Sequence, residues 1–276
     1  MDYKRILTIQ DISCVGQCSL TVALPILSAC GMETAILPSA VLSTHTAGFS
    51  GYTVRDLTED MPAIAEHWAK EKITFDTVYT GYLGSTEQIS YVENIIRNLL
   101  RQSGTSFVDP AMADNGKLYP AFDEKYVEAM KQLCFTADFC LPNITEACFL
   151  TGIEYKEKYD EKYIAQLLEA LHAKGAKTIV LTGVGYAEGR TGVVVSENGK
   201  ANYYEHKKIS KGCHGTGDVY AAAFVGLFLN GRTAVEAAKL SADFTVACIE
   251  NTQDDPQHWY GVKFEPLLAK LAETQQ

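Results

Sequence analysis

A short stretch in the last third of the chain, GTGD at residues 215–218, combines two glycines and an acid. Gly215 and Gly217 allow a tight backbone turn, and the apolar run that follows at residues 219–229 predicts a buried helix. The first N–H groups of a helix carry the positive end of its dipole, so this turn can hold a phosphate or another oxyanion. Asp218 is then either part of an anion-handling site or a simple cap, since an acid in the first turn of a helix is favourable by itself.

Polar residues follow several of the predicted strands, at the positions where ligands collect in open α/β sheets. They are Asp11 and Ser13; Tyr82; Asp109 and Asp114; Asn143, Thr145 and Glu146; and Thr182, Gly183 and Gly185. The acids offer hard oxygen ligands for Mg²⁺, which binds through few carboxylates together with water and substrate phosphates. Beside an anion-holding helix start, this combination predicts phosphoryl transfer. Asn143 and Glu146 also fit a capping box, which requires no catalytic role.

The commoner nucleotide-binding motifs are absent from the sequence. It contains no G-x-x-x-x-G-K-[ST] phosphate loop and no H-R-D or D-F-G set of the protein kinases. The first predicted strand is not followed by G-x-G-x-x-G, so a dinucleotide site of the Rossmann type is not supported.

The elements that must position these residues alternate between strand and helix. Buried strands are predicted at residues 5–10, 75–80, 105–110, 137–142 and 177–183. Helices are predicted at residues 19–31, after a capping box of Ser85 and Gln88, from Asn143, and at residues 163–174. Strands separated by helices of this length predict an α/β fold, with a mostly parallel central sheet and helices on both faces.

Two segments interrupt the alternation. Residues 32–52 contain β-like apolar runs without an intervening helix, which predicts a small β flap over the site. The stretch at residues 189–209 predicts a hairpin that turns at Asn198 and Gly199 and forms an antiparallel edge. No linker, repeat or low-complexity tract divides the chain, so one domain spanning residues 1–276 is expected.

Composition and charge narrow the classes of partner. The 276 residues include 24 basic and 34 acidic ones, and the net charge of −10 disfavours nucleic acid or an anionic membrane. No apolar leader or run of eighteen apolar residues occurs, and eight scattered cysteines without a C-x-x-C pair indicate neither zinc nor disulfides. A cytoplasmic protein is therefore expected. The one basic cluster, HKKISK at residues 206–211, is either a solvated strand edge or an attractor for polyphosphate.

Seven motifs, spread in order along nearly the whole chain, resemble those of one enzyme family. They are ILTIQDISCVGQCSLTVALPIL, STHTAGFSGY, TGYLGS, VDPAMADNGKLY, LPNITEACFLTG, LTGVG and GTGDVYAAAF. The set is similar to the ribokinase superfamily, and specifically to its pyridoxal kinase branch, the vitamin B6 kinases. Sugar kinases of the superfamily usually carry a paired-glycine motif that this chain lacks, and the related hydroxymethylpyrimidine kinases typically have cysteine at the position of Asp218. The flap motif carries Ala47 between Thr46 and Gly48, one residue more than the usual family version.

The resemblance implies roles for the residues of the glycine turn. Asp218 would be the general base on the 5′-hydroxymethyl group of pyridoxal, pyridoxine or pyridoxamine. The amides of Gly215, Thr216, Gly217 and Asp218 would stabilise the transferred γ-phosphoryl group of ATP. Cys213, with His214 before the glycines, departs from the common form of the branch; it is either a filler at the strand end or a thiol that adds reversibly to the aldehyde of pyridoxal.

The resemblance also implies three groups of binding residues. Magnesium would be supported by Asp114 and Glu146, with Asp109 and Thr145 nearby. The ATP side would include Asn143, Thr182, Gly183, Gly185, Gly215 and Gly217. The pyridine pocket would include Ser13, Thr46 and Tyr82, together with Cys213 if its thiol meets the aldehyde.

The implied cofactors are ATP and Mg²⁺, with K⁺ as a further candidate, and the implied assembly is a homodimer. Two other functions are compatible with the same motifs: hydroxymethylpyrimidine kinase activity, and a nucleotide-binding regulator that keeps the fold without turnover. Loss of Asp218 or of the glycine turn would mark such a regulator, and both are intact.

Overall fold

The computed structural model describes residues 3–209 and 213–273, which form a layered α/β structure. Its strands are β1 (Arg5–Val15), β2 (Glu33–Thr44), β3 (Val54–Asp56), β4 (Phe75–Thr80), β5 (Leu100–Val108), β6 (Ala113–Asp114), β7 (Lys117–Leu118), β8 (Phe139–Cys140), β9 (Thr178–Thr182), β10 (Arg190–Glu197) and β11 (Lys200–Lys207). Its helices are α1 (Leu20–Ala29), α2 (Asp60–Lys70), α3 (Thr86–Leu99), α4 (Glu124–Thr136), α5 (Ile144–Thr151), α6 (Glu161–Ala173), α7 (Thr216–Leu229), α8 (Ala234–Glu250) and α9 (Leu268–Ala272).

Nine of the strands form the central sheet, in the order β11-β10-β9-β8-β5-β4-β1-β2-β3. The six strands from β9 to β2 in that order are parallel, while β3 and β10 pair antiparallel at the two sides. One face of the sheet is covered by apolar residues of α3 to α6, and the other by those of α1, α7 and α8. The predicted mostly parallel sheet with helices on both faces is confirmed.

The flap is an extension of the central sheet rather than a separate hairpin. Strand β4 pairs with β1 only as far as Thr80 and Ile9, whereas β1 and β2 continue together to Val15 and Thr44. β1 is therefore longer than the predicted strand at residues 5–10. The projecting ends of β1 and β2, with β3 beside β2, form the small β flap, and residues 45–52 form the loop that leads away from it.

The predicted antiparallel edge is also present, as β10 and β11. Their turn uses Asn198 with a φ of 50° and Gly199 with a φ of 73°, the left-handed pair that a tight hairpin needs. Residues 113–118 form a second, two-stranded hairpin of β6 and β7.

The predicted capping box before α3 forms only in part. The Ser85 hydroxyl accepts a hydrogen bond from the Gln88 N–H at 3.2 Å, but Gln88 Oε1 accepts from the Gly84 N–H at 2.7 Å instead of from Ser85. The Gln88 amide nitrogen donates to the Ser39 carbonyl at 3.1 Å. Gln88 is fully buried, so its side chain joins the helix to β2, a role that sequence spacing does not reveal.

Candidate active site at the carboxyl ends of the strands

The glycine turn places the start of α7 at the carboxyl ends of the parallel strands. Gly215 precedes the helix with a φ of 75°, and a Cβ on it would lie 1.7 Å from the carbonyl oxygen of Gln17. A Cβ on Gly217 would meet no atom within 4 Å, so the surface of the turn is open at this position. The first N–H groups of a helix have no partner within the helix, so the open turn can hold an oxyanion.

Asp218 lies in the first turn of α7 and is partly buried. No side-chain hydrogen bond caps the start of this helix, so Asp218 does not act as its N-cap. The pKa of Asp218 is raised to about 7, chiefly by burial and to a smaller extent by the nearby charge of Asp11, while the Ser19 backbone opposes the shift. A carboxylate with a pKa near neutrality is suited to accept a proton in catalysis.

Glu146 is buried, 2% exposed, and its carboxylate is held by backbone donors. Oε1 accepts from the Met112 N–H at 3.0 Å and Oε2 accepts from the Asn143 N–H at 2.8 Å. Asn143 Oδ1 in turn accepts from the Glu146 N–H at 2.9 Å, which completes the capping box at the start of α5. Burial raises the pKa of Glu146 to about 7. The capping interpretation is therefore correct as a description of its contacts, and Glu146 also fixes the chain that leads into β6.

The other three candidate metal residues differ in their surroundings. Asp109 Oδ1 accepts from the Ala111 N–H at 3.1 Å, and burial, followed by the charges of Glu146 and Asp218, raises its pKa well above the ordinary value. Asp114 is exposed, and both of its oxygens accept hydrogen bonds from Asn115. Thr145 Oγ1 accepts from the Gly116 N–H at 3.1 Å, which ties the β6–β7 hairpin to α5. Within residues 3–209 and 213–273, no group of three or more His, Cys, Asp or Glu residues converges as a metal site would.

The candidate nucleotide residues meet at the ends of β8 and β9. Asn143 and Thr182 form a parallel bridge, and the Thr182 N–H donates to the Pro142 carbonyl at 2.9 Å. Gly183 is exposed, with a φ of 76° and open space where a Cβ would lie. The Gly185 N–H donates at 3.0 Å to the Tyr159 hydroxyl, which sequence patterns did not single out.

A pocket of about 200 Å³ opens beside the glycine turn. It is lined by Thr191, His206, Lys207, Lys208, Ile209, Cys213, Thr216, Val246 and Ile249. The pocket joins the described part of the basic cluster to the first residue of α7, whereas Ser210 and Lys211 of that cluster lie outside the described residues. Cys213 is partly buried here, next to the apolar side chains of α8.

The candidate pyridine-pocket residues lie near the flap. The Ser13 hydroxyl donates to Asp11 Oδ2 at 3.2 Å, and both residues are buried. Tyr82 is partly buried, its ring centroid lies 5.4 Å from that of Phe122, and burial followed by the charge of Asp11 raises its pKa. Thr46 is exposed in the loop after β2. Ser13 thus contacts Asp11, and Tyr82 lies within range of the Asp11 charge.

Sequence reasoning missed the contacts that hold the flap loop. His45 is buried; its Nδ1 accepts from the Ala47 N–H at 3.2 Å, so Nε2 carries the proton and donates to the Tyr260 carbonyl at 2.7 Å. The Phe49 and Trp259 rings lie 4.6 Å apart. Ala47, the additional residue of the flap motif, therefore supplies a hydrogen bond that fixes the His45 ring. The partners are about 215 positions apart in the chain, and no local pattern connects them.

Comparison with known proteins identifies relatives along almost the whole chain. Residues 27–262 match the family model described as phosphomethylpyrimidine kinase. The crystal structure of pyridoxal kinase from Lactobacillus plantarum superposes with a TM-score of 0.91 at 32% identity, covering 99% of this chain and 98% of that one. A Bacteroides thetaiotaomicron protein crystallised with pyridoxal superposes equally well, with a TM-score of 0.91 at 32% identity over 98% and 96% of the two chains. The hydroxymethylpyrimidine/phosphomethylpyrimidine kinase of Bacillus subtilis is 28% identical, covering 78% of this chain and 77% of the relative.

Proposed function

Because the chain belongs to the phosphomethylpyrimidine kinase family, within the ribokinase superfamily, we propose that it transfers the γ-phosphoryl group of ATP to the 5′-hydroxymethyl group of a B6 vitamer. The acceptor is pyridoxal, pyridoxine or pyridoxamine, and the product is its 5′-phosphate. The observation that carries the proposal is Asp218, a partly buried carboxylate with a pKa near 7 in the turn that can hold an oxyanion.

The chemistry follows from that turn. The Asp218 carboxylate takes the proton of the attacking hydroxyl group, and the hydroxyl oxygen attacks the γ-phosphorus while ADP leaves. The N–H groups of residues 215–218 stabilise the negative charge of the transferred phosphoryl group. Lys207 and Lys208, which line the neighbouring pocket, attract the phosphates of the nucleotide. Asn143, Thr182, Gly183 and Gly185 form the nucleotide side of the site.

The donor set fits magnesium bound together with nucleotide phosphates. The charges of Glu146 and Asp218 raise the pKa of the buried Asp109, and a cation beside Asp109 would relieve that repulsion. Asp109 and Asp114 are the residues that would hold the ion, directly or through water, while Glu146 and Thr145 hold the backbone around them. When bound, Mg²⁺ would neutralise charge on the phosphates.

Ser13, Thr46 and Tyr82 would surround the pyridine ring. This assignment is supported by the hydrogen bond between Ser13 and Asp11 in β1. The charge of Asp11 acts on both Tyr82 and Asp218, which indicates that the two sides of the site are close. One domain spanning residues 1–276, a homodimer and a cytoplasmic location complete the proposal and remain predictions. Among the described residues, no helix is both long enough and apolar enough to cross a membrane.

The decisive experiment measures ADP formation from MgATP with pyridoxal, pyridoxine, pyridoxamine and hydroxymethylpyrimidine as separate acceptors. Ribose, fructose and adenosine serve as controls, because the ribokinase superfamily also contains sugar kinases. We expect a B6 vitamer to give a much higher kcat/KM than any sugar. Comparable turnover of a sugar, or no turnover of any vitamer, contradicts the proposal.

Hydroxymethylpyrimidine kinase activity is the second candidate, since the matching family model is described as phosphomethylpyrimidine kinase and the Bacillus subtilis relative as hydroxymethylpyrimidine/phosphomethylpyrimidine kinase. Asp218, where hydroxymethylpyrimidine kinases typically have cysteine, favours the B6 vitamers. If the kcat/KM for hydroxymethylpyrimidine exceeded the kcat/KM for every B6 vitamer, hydroxymethylpyrimidine kinase would become the first candidate.

Glu146→Gln separates a metal role from a purely structural one. Both Glu146 oxygens accept backbone N–H groups, so an amide nitrogen must face one of those donors and we expect the Tm to fall by a few degrees. If Glu146 also supports Mg²⁺, activity per folded molecule will fall as well, and extra Mg²⁺ will restore part of it. Thermal melting beside an Mg²⁺ titration of activity measures both effects; an unchanged Mg²⁺ dependence means that Glu146 acts only through the backbone.

Cys213→Ala tests whether the thiol meets the substrate aldehyde. If the thiol adds to the aldehyde of pyridoxal, its removal should change the KM for pyridoxal. The KM for pyridoxine should stay nearly unchanged, because pyridoxine has an alcohol in place of the aldehyde. Cys213 lies against apolar side chains of α8 in the pocket beside the basic cluster, which supports the packing alternative. Equal effects on both vitamers would establish packing alone.

A further inference from the structure

Residues 183–185 follow β9 and are here called the β9 loop; they combine an open surface with a close fit. Gly183 is exposed with a φ of 76°, and a Cβ on it would meet no atom within 4 Å. A Cβ on Gly185 would instead lie 2.4 Å from the carbonyl oxygen of Arg190. Exposed backbone without a side chain lets a ligand approach closely. The β9 loop is therefore accessible to a ligand at Gly183 and packed against β10 at Gly185.

The Tyr159 hydroxyl makes two hydrogen bonds to the β9 loop. It donates to the Gly183 carbonyl at 3.2 Å and accepts from the Gly185 N–H at 3.0 Å. A tyrosine hydroxyl has a single proton to donate, and here that proton is used on the loop. Tyr159 stands 24 positions before Gly183 in the chain, so the bridge is a tertiary contact between the two glycines and the connection from α5 to α6.

The edge hairpin of β10 and β11 supplies the other contacts of the β9 loop. The Val184 N–H donates to the Gly192 carbonyl at 3.1 Å. The Tyr203 hydroxyl lies 3.3 Å from the Val184 carbonyl and also 3.3 Å from Glu205 Oε2, and it can donate to only one of them at a time. Tyr203 is therefore a shared donor, whereas the Tyr159 hydroxyl makes both of its hydrogen bonds to the loop.

The segment that carries Tyr159 is itself anchored. The Tyr163 hydroxyl donates to the Glu154 carbonyl at 2.7 Å, which ties the start of α6 to the chain that leaves α5. Asp160 caps α6 by accepting a hydrogen bond from the Tyr163 N–H at 2.9 Å. The rings of Tyr159 and Tyr163 lie 5.9 Å apart. These contacts fix the chain on both sides of Tyr159 and so place its hydroxyl.

Ring packing alone does not require a hydroxyl at this position. A phenylalanine could make the same ring contacts to Tyr163 and to Tyr186, whose centroid lies 6.4 Å from that of Tyr159. The hydroxyl adds only the bridge between Gly183 and Gly185. Glycine has the widest backbone freedom of any residue, so a loop that contains two of them needs such a contact to keep one conformation.

We propose, on the basis of the function proposed above, that Tyr159 is a positioning residue for the nucleotide: its hydroxyl holds Gly183 and Gly185 in the backbone arrangement that receives ATP. Gly183 offers open backbone to the nucleotide, and Tyr159 supplies the rigidity that the glycines lack. The glycine turn and Asp218 are not part of this contact, so its loss should impair nucleotide binding rather than the chemical step.

Tyr159→Phe tests this role because it removes the hydroxyl and keeps the ring. We expect the KM for ATP, and the Kd for ADP measured by calorimetry, to rise roughly three- to tenfold, as for the loss of one or two hydrogen bonds. The kcat at saturating ATP and the KM for pyridoxal should stay within about twofold of wild type. Tyr203→Phe removes the shared donor and should raise the Kd for ADP less.

Tyr126→Phe is the matched control, because it also removes one tyrosine hydroxyl from a loop carbonyl. The Tyr126 hydroxyl donates at 2.7 Å to the carbonyl of Leu83, beside Tyr82 on the candidate pyridine side. This variant should leave the Kd for ADP within about twofold of wild type. Equal rises of that Kd in Tyr126→Phe and Tyr159→Phe would overturn the proposal. So would an unchanged Kd in Tyr159→Phe, with or without a lower Tm.

The ADP measurement needs no acceptor, so it separates this proposal from the proposed function. If the wild type phosphorylates no vitamer but Tyr159→Phe still weakens ADP binding as expected, the proposed function fails and the role of Tyr159 stands. If the wild type turns over a vitamer and Tyr159→Phe binds ADP normally, the function stands and the role of Tyr159 fails. A wild type that binds no ADP would reject both.

Discussion

Asp218→Asn is expected to lower kcat by roughly 10²–10⁴-fold, the range that general base catalysis contributes, while ATP still binds. Asparagine has nearly the same shape and is tolerated in the first turn of a helix. The amides of the glycine turn remain in place. Measuring kcat, nucleotide affinity and Tm on one preparation checks the prediction, and a folded variant with near-wild-type kcat would show that Asp218 is only a favourable first-turn acid.

The raised pKa of Asp218 adds two pH-dependent results to this prediction. A base must be deprotonated, so kcat/KM of the wild type should fall as the pH drops below about 7, the pKa of the folded state. The raised pKa of Asp218 also makes the stability of the fold depend on pH. Stability falls as the pH rises, whereas activity increases. The folded protein binds this proton more tightly than the unfolded chain, whose carboxyl has a pKa near 3.8, so its stabilising contribution is lost as pH rises toward 7. Relative to the wild type, the Tm of Asp218→Asn should therefore rise as the pH increases from about 4 to 7, and the difference should stay level above pH 7.

The parts of the fold that depend on local pattern could be predicted from sequence. Strand β4 occurs at residues 75–80 as expected, and the Asn198-Gly199 turn makes the edge hairpin, because their signals lie within a few neighbouring residues. The Asn143 cap of α5 formed for the same reason. The continuation of β1 to Val15 was missed, since the polar residues Asp11 and Ser13 interrupt the apolar run; in the fold they are buried as a hydrogen-bonded pair.

The candidate site also has a part that local sequence predicts and a part that depends on distant residues. The glycine turn is a local feature, and its sequence alone indicates an oxyanion site. The start of α1 shows the opposite: a serine before a helix normally indicates an N-cap, yet Ser19 has a φ of 54° and its side chain makes no capping hydrogen bond. The flap loop is similar: Gly48 would carry a Cβ 2.7 Å from the Trp259 ring, a constraint that appears only after the chain has folded.

Gly215→Ala is expected to have the other large effect. The added Cβ would lie 1.7 Å from a backbone oxygen of Gln17, and a backbone oxygen cannot rotate away as a flexible side chain could. The glycine turn and the loop at residues 16–19 must separate, which displaces the N–H groups of the turn. Losing even one such donor from a site for developing negative charge costs roughly 10²–10³-fold in kcat, so we expect at least that loss.

The opposite end of the same helix supplies the matched control for Gly215→Ala. Gly231 follows α7 with a φ of 88°, so alanine there meets the same backbone penalty as at Gly215, but no atom lies within 4 Å of its Cβ. Gly231→Ala should lower Tm and leave kcat nearly intact, whereas Gly215→Ala should lose both. Gly217→Ala is the third variant of this set, and its Cβ would also enter open space. If this variant loses kcat but keeps its Tm, substrate must fill that space during turnover. If Gly215→Ala and Gly231→Ala reduced kcat equally, the effect would come from the stability of α7, and the N–H groups of the glycine turn would have no special part in catalysis.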